Sequence, residues 1–380
     1  MNDLPMIYWI ESGEPRSALW RSERGVLPPR NVVIADDSLN ADEAYRLASR
    51  GTAMLWRGEF NNGRLMLQAL SRRLERTPRR RQRNAPKPIP SLREAFYLHR
   101  QSQERRACVL GMLLVTLESD YHIPLRRAPD VHQACIEAYG SSEHASVVSL
   151  RELLGLIGAH EWRKKGVPIA ALDDRIHPFY GVFSPVRGEY VELVAEAPLP
   201  SRELAFDIGT GTGVLAAVLA RRGVARVVAT DQDVRALACA YDNIARLGLS
   251  ARVEIVNANL FPEGRAPLIV CNPPWIPARP SSLLEHSLYD PESRMLLGYI
   301  NGLAAHLAPS GEGWLILSDI AERLGLRTRD ELLTAVHVAG LKVVGRQDVH
   351  PHHPKTRDIA DPLHAARAGE ITSLWRFTAR

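Results

Sequence analysis

Hydrophobic and polar positions follow two different patterns along the chain. Up to about residue 165, apolar residues recur every three or four positions, which predicts amphipathic helices. The predicted helices cover residues 41–51, 63–76, 92–119, 130–140 and 149–165. Pro78, Pro86, Pro88 and Pro90 interrupt this run and predict a loop. Residues 1–166 are therefore predicted to form an all-α N-terminal domain.

The pattern changes after Gly166. Residues 167–200 are rich in proline and are predicted to form a connector. From residue 201 onward, short apolar runs alternate with amphipathic stretches. Strands are predicted at residues 203–208, 226–230, 252–256, 268–271, 314–318, 341–349 and 371–379, and helices at 213–222, 234–247, 292–307 and 328–339. This alternation is typical of βαβ units, so residues 201–380 are predicted to form a Rossmann-like α/β domain.

The composition is that of a globular protein. The chain has 380 residues, of which 45% are hydrophobic and 24% charged, which excludes disordered, collagen-like and coiled-coil classes. Four cysteines (Cys108, Cys135, Cys239 and Cys271) lie far apart without a Cys-x-x-Cys pair. A disulfide framework is therefore not expected, and a reducing compartment is. No apolar run reaches the roughly 18 residues of a membrane span, so the predicted location is the cytoplasm.

The positive charge is concentrated in one segment. The formal net charge is +5, yet residues 72–106 contain twelve basic and three acidic residues, so this segment carries +9 and the remainder −4. The basic residues are Arg72, Arg73, Arg76, Arg79, Arg80, Arg81, Arg83, Lys87, Arg93, Arg100, Arg105 and Arg106. Such a density attracts phosphate, and arginine binds phosphate in a bidentate manner. The segment predicts contact with nucleic acid or the ribosome; the alternative is a solvated helix face beside a flexible linker.

A glycine-rich turn follows the first strand of the predicted sheet. It reads Asp-Ile-Gly-Thr-Gly-Thr-Gly over residues 207–213, and such turns border the ligand site of open α/β sheets. The third glycine falls one position earlier than in the dinucleotide fingerprint, where Val214 stands instead. The carboxylate of Asp207 would repel a pyrophosphate but could bind a cationic ligand. The turn therefore favours a cationic cofactor.

Two further polar residues end the next two strands. Asp231 stands 24 residues after Asp207, where a carboxylate can accept hydrogen bonds from both ribose hydroxyls. The alternative is that Asp231 caps the following helix. Asn259 precedes Leu260 and Phe261 after the third strand. The side-chain oxygen of Asn259 can accept a hydrogen bond, and the alternative there is a turn asparagine.

The segment Asn272-Pro273-Pro274-Trp275 follows the fourth strand. Proline fixes the backbone and removes donors, so the Asn272 amide oxygen and the Pro273 carbonyl form a stiff pair of acceptors. Trp275 adds a flat apolar face. This arrangement predicts a receptor for a planar –NH2 group. Drawing both hydrogens into acceptors favours the pyramidal nitrogen whose lone pair attacks a methyl donor, without a titrating base.

The chain resembles the class I S-adenosylmethionine (SAM)-dependent methyltransferases in the order of its motifs. The glycine-rich turn comes first, the polar residues after the next two strands follow, and the Asn-Pro-Pro-Trp segment comes last. The Asn-Pro-Pro-Trp motif resembles that of the HemK-like release-factor glutamine methyltransferases and the adenine-N6 methyltransferases, which share a small methyltransferase domain. The resemblance implies a seven-stranded sheet with SAM as cofactor. It implies that SAM is bound by Asp207, Gly209, Thr210, Gly211, Gly213, Asp231, Asn259 and Leu260, and that catalysis involves Asn272, Pro273, Pro274 and Trp275.

A segment just upstream of this domain extends the resemblance. Pro185, Arg187 and Glu189 look similar to the Pro-Arg-x-x-Thr-Glu segment of HemK-like enzymes, although their spacing differs. The resemblance implies that Pro185 and Arg187, together with Trp275, contact the substrate. The alternative is a tight connector before a helix at residues 189–196.

The resemblance leaves three functions open. The lead is SAM-dependent protein glutamine N5-methylation of HemK type, with a translation factor as an example of the acceptor. The second is RNA or DNA methylation at adenine N6 or guanine N2, which the basic segment favours. The third is a non-catalytic SAM- or nucleic-acid-binding module, against which the intact Asn272–Trp275 motif argues. No metal is expected, because His350, His352 and His353 lack further spaced ligands.

Overall fold

The computed structural model describes residues 5–75, 90–186, 188–280, 285, 288–352 and 358–380. These residues form two compact units. The first comprises the described parts of Met1–Ile89 and Tyr97–Glu161, and the second those of Pro90–Phe96 and Trp162–Arg380. Several predicted functional residues lie outside the described ranges: Arg76, Arg79, Arg80, Arg81, Arg83, Lys87, Arg187 and His353.

The first unit contains both strands and helices. Its strands are β1 (Met6–Glu11), β2 (Glu14–Trp20), β3 (Asn31–Ala35), β4 (Thr52–Trp56), β5 (Leu113–Leu117) and β6 (Ser146–Ser149). The helices of this part of the chain are α1 (Ala41–Ser49), α2 (Phe60–Glu75), α3 (Leu92–Leu110), α4 (His132–Tyr139) and α5 (Leu150–Lys165). The six strands form one mixed sheet in the order β1-β2-β6-β5-β4-β3.

The prediction of an all-α N-terminal domain is therefore wrong, because it missed these strands. The five predicted helices are present, but the helix predicted at 92–119 ends at Leu110 and is followed by β5. Strands β4 and β5 are buried along almost their whole length, so their side chains do not alternate between apolar and polar. Periodicity cannot distinguish such a short apolar run from a buried turn of helix.

The second unit has the predicted α/β architecture. A small hairpin of β7 (Val167–Ile169) and β8 (Asp174–Ile176) lies in the predicted connector and precedes the main sheet of this unit. Its main strands are β9 (Leu204–Ile208), β10 (Arg226–Asp231), β11 (Val253–Asn257), β12 (Ala266–Cys271), β13 (Leu307–Ser318), β14 (Leu341–Val349) and β15 (Thr372–Ala379). Its helices are α6 (Glu189–Glu196), α7 (Val214–Arg221), α8 (Val234–Arg246), α9 (Arg294–His306), α10 (Ile320–Arg323), α11 (Arg329–Val338) and α12 (His364–Ala368).

The seven strands form a sheet in the order β11-β10-β9-β12-β13-β15-β14. The first five are parallel, and β15 runs antiparallel to both of its neighbours. Apolar cores cover both faces of this sheet. Successive strands step outward in opposite directions from the β9–β12 pair, which makes that pair the topological switch point where ligands bind.

The described residues contain neither a helix suited to crossing a membrane nor a cluster of metal ligands. None of the helices within the described ranges combines the length and apolar character that a membrane crossing requires. The side chains described there contain no group of three potential metal ligands. His350 and His352 are exposed at the end of β14.

Candidate functional site

The glycine-rich turn and the Asn-Pro-Pro-Trp loop leave the same edge of the sheet side by side. In the parallel pair β9–β12, Asp207 lies opposite Val270 and Ile208 lies opposite Cys271. Gly209 of the glycine-rich turn follows Ile208 in β9, and Asn272 follows Cys271 in β12. The tertiary structure thus brings together two motifs separated by about 60 residues of sequence, at the switch point of the sheet.

Asp207 organises the glycine-rich turn from inside. Its side chain is buried, and Oδ2 accepts hydrogen bonds from the Thr210 hydroxyl at 2.7 Å and the Ala216 N–H at 3.1 Å. Burial raises the pKa of this carboxyl from 3.8 to about 6, although both hydrogen bonds act in the opposite direction. In the part of the chain that the structure describes, the negative charge of Asp207 is therefore met by hydrogen bonds and not by a cation.

The turn uses its three glycines for different purposes. Gly209, Gly211 and Gly213 all adopt positive φ angles, of 70°, 56° and 81°, which disfavour residues with a Cβ. A Cβ on Gly209 would lie 2.3 Å from the Met295 Cε, and a Cβ on Gly213 would meet Ala240. A Cβ on Gly211 would meet nothing within 4 Å. Gly211 therefore leaves open space on the side where a ligand could lie.

Asp231 connects the second strand to the glycine turn. Its Oδ2 accepts the Gly211 N–H at 3.0 Å, and its Oδ1 accepts the Asp233 N–H at 3.0 Å. The helix cap of α8 is Asp233, which accepts the Arg235 N–H. Asp233, and not Asp231, therefore caps α8. Burial raises the pKa of Asp231 too.

The third strand brings Asn259 and Leu260 toward the same edge. The Asn259 side chain is exposed, whereas Leu260 adopts a φ of 69° and its carbonyl accepts the Thr230 hydroxyl at 2.6 Å. Phe261 anchors this loop by stacking on His306 with ring centroids 4.3 Å apart. The anchored loop leaves Asn259 available to a ligand.

The Asn-Pro-Pro-Trp loop contains an internal hydrogen bond. The Trp275 Nε1 donates to the Asn272 Oδ1 at 3.0 Å. The indole is partly buried and packs against the cores on both faces of the sheet and against a third cluster around Phe96. The amide of Asn272 is therefore held with its oxygen toward the indole, and one further lone pair of that oxygen remains for a substrate.

The segment upstream of the sheet contributes two buried polar atoms that have no hydrogen-bond partner within the described ranges. They are the Ser184 Oγ and the Glu189 Oε1. Glu189 is 8% exposed. Burial raises the pKa of the neighbouring Tyr190 phenol, and the negative charges of Asp207 and Glu189 raise it further. Pro185 is buried between Ser184 and the exposed Val186. The sequence indicates Glu189 only through the resemblance of its segment to that of HemK-like enzymes, whereas the structure shows that the residue is buried.

These residues fit SAM. Asp207 and Asp231 are carboxylates at the carboxyl ends of β9 and β10, and the carboxylate of Glu189 lies at the start of α6. Within the described part of the chain, none of the three forms an ion pair with Lys or Arg. A ligand that carries a sulfonium and an amino group would supply the missing positive charge. The residues suited to hold it are Gly209, Thr210, Gly211, Gly213, Asp231, Asn259 and Leu260, with Asp207 and Glu189 nearby.

Two buried polar residues outside the predicted motifs support this region. The fully buried Asn243 donates to the Thr212 carbonyl at 3.0 Å and accepts the His177 N–H at 2.7 Å, which ties the glycine turn to the upstream segment. Asp290 accepts the N–H groups of Met295 and Leu296, both at 3.1 Å, at the start of α9. An aspartate before a proline, as in Asp290-Pro291, is a local pattern typical of a helix start, whereas no local pattern marks Asn243.

Comparison with known proteins agrees with this geometry. The profile of the family described as "Methyltransferase small domain" matches residues 181–319. A ribosomal protein L11 methyltransferase of Pelotomaculum thermopropionicum is 48% identical over 18% of this chain and 22% of its own length. A release factor glutamine methyltransferase of Cereibacter sphaeroides is 38% identical over 28% of this chain and 43% of its own length. The chain thus spans less than half the length of these two relatives.

A longer match comes from Xylella fastidiosa (strain Temecula1). Its release factor glutamine methyltransferase is 31% identical in an alignment 215 positions long that covers 48% of this chain and 73% of the relative. The structure contains the seven-stranded sheet that the resemblance implied, in which the antiparallel strand β15 lies between β13 and β14. Because the chain covers most of this relative and forms the expected sheet, it belongs to the class I SAM-dependent methyltransferases with a small methyltransferase domain.

Proposed function

We propose that this protein transfers a methyl group from SAM to a planar nitrogen of a macromolecule, with the side-chain amide of a protein glutamine as the lead acceptor. The observation that carries the proposal is the hydrogen bond from Trp275 to Asn272, next to the glycine-rich turn. It holds an amide oxygen and a flat indole face in a fixed relation at the ligand-binding edge of the sheet.

The chemistry follows from the donors and acceptors of this loop. When bound, SAM supplies an electrophilic methyl group on a sulfonium. The second lone pair of the Asn272 Oδ1 and the Pro273 carbonyl accept the two hydrogens of the acceptor's –NH2 group. These bonds strengthen as the nitrogen becomes pyramidal, so they stabilise the transition state more than the ground state. The nitrogen is acidic after transfer and releases its proton without a dedicated base.

The protein acceptor is supported by the relatives. The Xylella protein that matches over 73% of its length is named for release factor glutamine, and the first relative is named for ribosomal protein L11. An amide –NH2 meets the geometric requirement of the Asn272–Trp275 loop.

A nucleobase acceptor is the second candidate. An exocyclic amine at adenine N6 or guanine N2 is also planar, and the +9 charge of residues 72–106 would attract a phosphate backbone. Under this reading the first unit recognises RNA or DNA. Among the described arginines of the segment, Arg73 pairs with Asp42 and Arg106 pairs with Glu75, which reduces the charge available for phosphate.

Labelled methyl transfer separates the two candidates. The full-length protein and labelled SAM are added to lysate of a strain that lacks the gene, and protein and RNA are then fractionated. We expect label in protein that yields N5-methylglutamine on enzymatic digestion, and none with Asn272→Ala. Label confined to RNA or DNA would replace the lead with the second candidate. No label in any fraction, with SAM bound normally, would leave the non-catalytic module.

A further inference from the structure

Arg327 lies in the loop that joins α10 (Ile320–Arg323) to α11 (Arg329–Val338). Its neighbours Leu324 and Leu326 pack into the apolar cluster that also contains Phe96 and Trp275. The next residue, Thr328, forms a reciprocal capping box with Glu331 at the start of α11. The backbone on both sides of Arg327 is therefore held in place.

The guanidinium of Arg327 is buried but incompletely bonded. The residue is 9% exposed, and its Nε and Nη2 atoms have no hydrogen-bond partner among the residues that the structure describes. Two other arginines show what this edge of the guanidinium normally does. The Nε and Nη2 of Arg57 hold both oxygens of Glu11, each at 2.8 Å, and those of Arg376 hold both oxygens of Glu312 at 2.7 and 2.6 Å. In Arg327 the same edge is unused.

The acids that influence Arg327 are already engaged elsewhere. Its charge interacts with Glu322, Asp290 and Glu331. Glu322 holds the Nε of Arg329 at 2.8 Å, Asp290 caps α9, and Glu331 accepts the Thr328 N–H at 2.7 Å. These carboxylates balance the charge of Arg327 from a distance without bonding its Nε–Nη2 edge. A buried donor left without a partner carries its full desolvation penalty, unless a ligand satisfies it.

We propose that the Nε–Nη2 edge of Arg327 binds a carboxylate of the protein acceptor, on an Asp or Glu near the methylated amide. The inference rests on the proposed function and adds a sequence preference to it. The edge has the geometry of two parallel N–H donors, which matches a carboxylate. Because both nitrogen atoms are buried, the side chain of Arg327 must shift for the carboxylate to reach them, and Arg327 is then a specificity residue for the acceptor.

The surroundings favour a single carboxylate over a nucleic acid backbone. Three arginines on the flanking helices are occupied by acids: Arg323 by Asp319, Arg329 by Glu322 and Arg367 by Asp361. A phosphate chain is bound by several free cations in succession. One unused bidentate edge among paired arginines instead suits one isolated carboxylate.

The first test observes the Arg327 Nε–H directly and does not depend on catalysis. In 15N-labelled full-length protein with SAM, the Arg327 Nε–H signal is assigned by its loss in Arg327→Lys. It is then followed during titration with N-acetyl-aspartate α-methylamide, N-acetyl-asparagine α-methylamide and dimethyl phosphate at constant ionic strength. We expect a saturable downfield shift with the N-acetyl-aspartate derivative alone, because it is the only one of the three that carries a carboxylate. A shift only with dimethyl phosphate would point to a nucleic acid acceptor, and no shift with any probe would refute the site.

The second test measures kinetics with peptides. The probes are acetyl-Ala-Ala-Gln-Ala-Ala-amide and variants with one Asp or one Asn at each flanking position. We expect one Asp peptide to be preferred over its Asn counterpart, and Arg327→Met to raise its KM about tenfold, with the KM for SAM within about twofold. The matched control is Arg329→Met, whose guanidinium is already occupied, and it should retain the preference for Asp.

Thermal unfolding separates substrate binding from a purely structural role. Arg327→Met keeps the apolar stem and removes unpaired buried donors, so its Tm should equal or exceed that of the wild type. Arg329→Met should lower Tm because it breaks the pair with Glu322. A large loss of Tm in Arg327→Met, with no change in the Asp preference, would overturn the proposal. If the wild type methylates no peptide while the carboxylate shift is present, the proposed glutamine acceptor fails and the carboxylate site stands.

Discussion

The indole N–H of Trp275 donates to the side-chain oxygen of Asn272 at 3.0 Å. This bond joins the two side chains that the proposed chemistry requires, one as acceptor and one as stacking surface. It also fixes which end of the Asn272 amide faces the acceptor site. The orientation is thus set before a substrate binds, which is the condition for stabilising a transition state without reorganisation.

Removing the hydrogen bond but not the ring tests this preorganisation. In Trp275→Phe, the stacking surface is largely retained while the Asn272 amide loses its fixed orientation. We expect kcat to fall about tenfold with little change in the KM of the acceptor, since the lost effect concerns the transition state. Trp275→Ala is the comparison, in which both kcat and KM should worsen. Equal kinetics for Trp275→Phe and the wild type would show that the bond has no catalytic role.

Removing the acceptor itself should have a larger effect. Asn272→Ala deletes the amide oxygen that binds the acceptor's –NH2 group, so kcat should fall about 100- to 1000-fold. SAM binding, measured by calorimetry, should stay within about tenfold of the wild type. Near-normal kcat in this variant would contradict the mechanism, whatever the acceptor is.

The glycine turn allows backbone strain to be separated from ligand contact. Gly211 and Gly248 have φ angles of 56° and 68°, and a Cβ on either would meet nothing within 4 Å. Alanine at either position should therefore cost about 1–2 kcal/mol of stability from the left-handed conformation. Only Gly211→Ala should weaken SAM binding, by about tenfold or more. Unchanged SAM affinity in Gly211→Ala would place the cofactor elsewhere.

The raised pKa of Asp207 predicts a pH dependence. Burial shifts it from 3.8 to about 6 in the folded protein without ligand, so the contribution of this group to stability is full below about pH 4 and is lost as the pH rises through about 6. A cationic ligand favours the ionised carboxylate, so SAM should bind more tightly at pH 7 than at pH 5. Calorimetric titrations should show this trend, and Asp207→Asn should flatten it.

The arginine-rich segment distinguishes the two acceptor classes through salt. If the acceptor is RNA, reversing the charges of Arg79, Arg80 and Arg81 should reduce the slope of log K against log salt concentration. A matched control reverses Arg16, Arg46 and Arg226, which are exposed and paired with acids. Equal slopes in both triple variants would assign the segment to a solvated face.

The sequence alone determined the methyltransferase unit because local signals there agree with one another. Strands β9 to β12 alternate with helices, and each motif follows a strand end, so the parallel sheet places the motifs at one edge. For the candidate site, the sequence alone predicted that Asp207, Asp231 and Asn272 lie at or just after the ends of strands, because turn residues and their spacing are local properties of the chain.

The tertiary structure decided what depends on burial and on distant partners. The strands of the first unit were missed because β4 and β5 lie between neighbouring elements, and their short apolar runs carry no period of their own. The bond between Trp275 and Asn272, the unpaired oxygen of buried Glu189 and the unused edge of Arg327 arise only when the chain has folded. Whether a polar group is buried and bonded depends on atoms far away in sequence, so no local pattern records it.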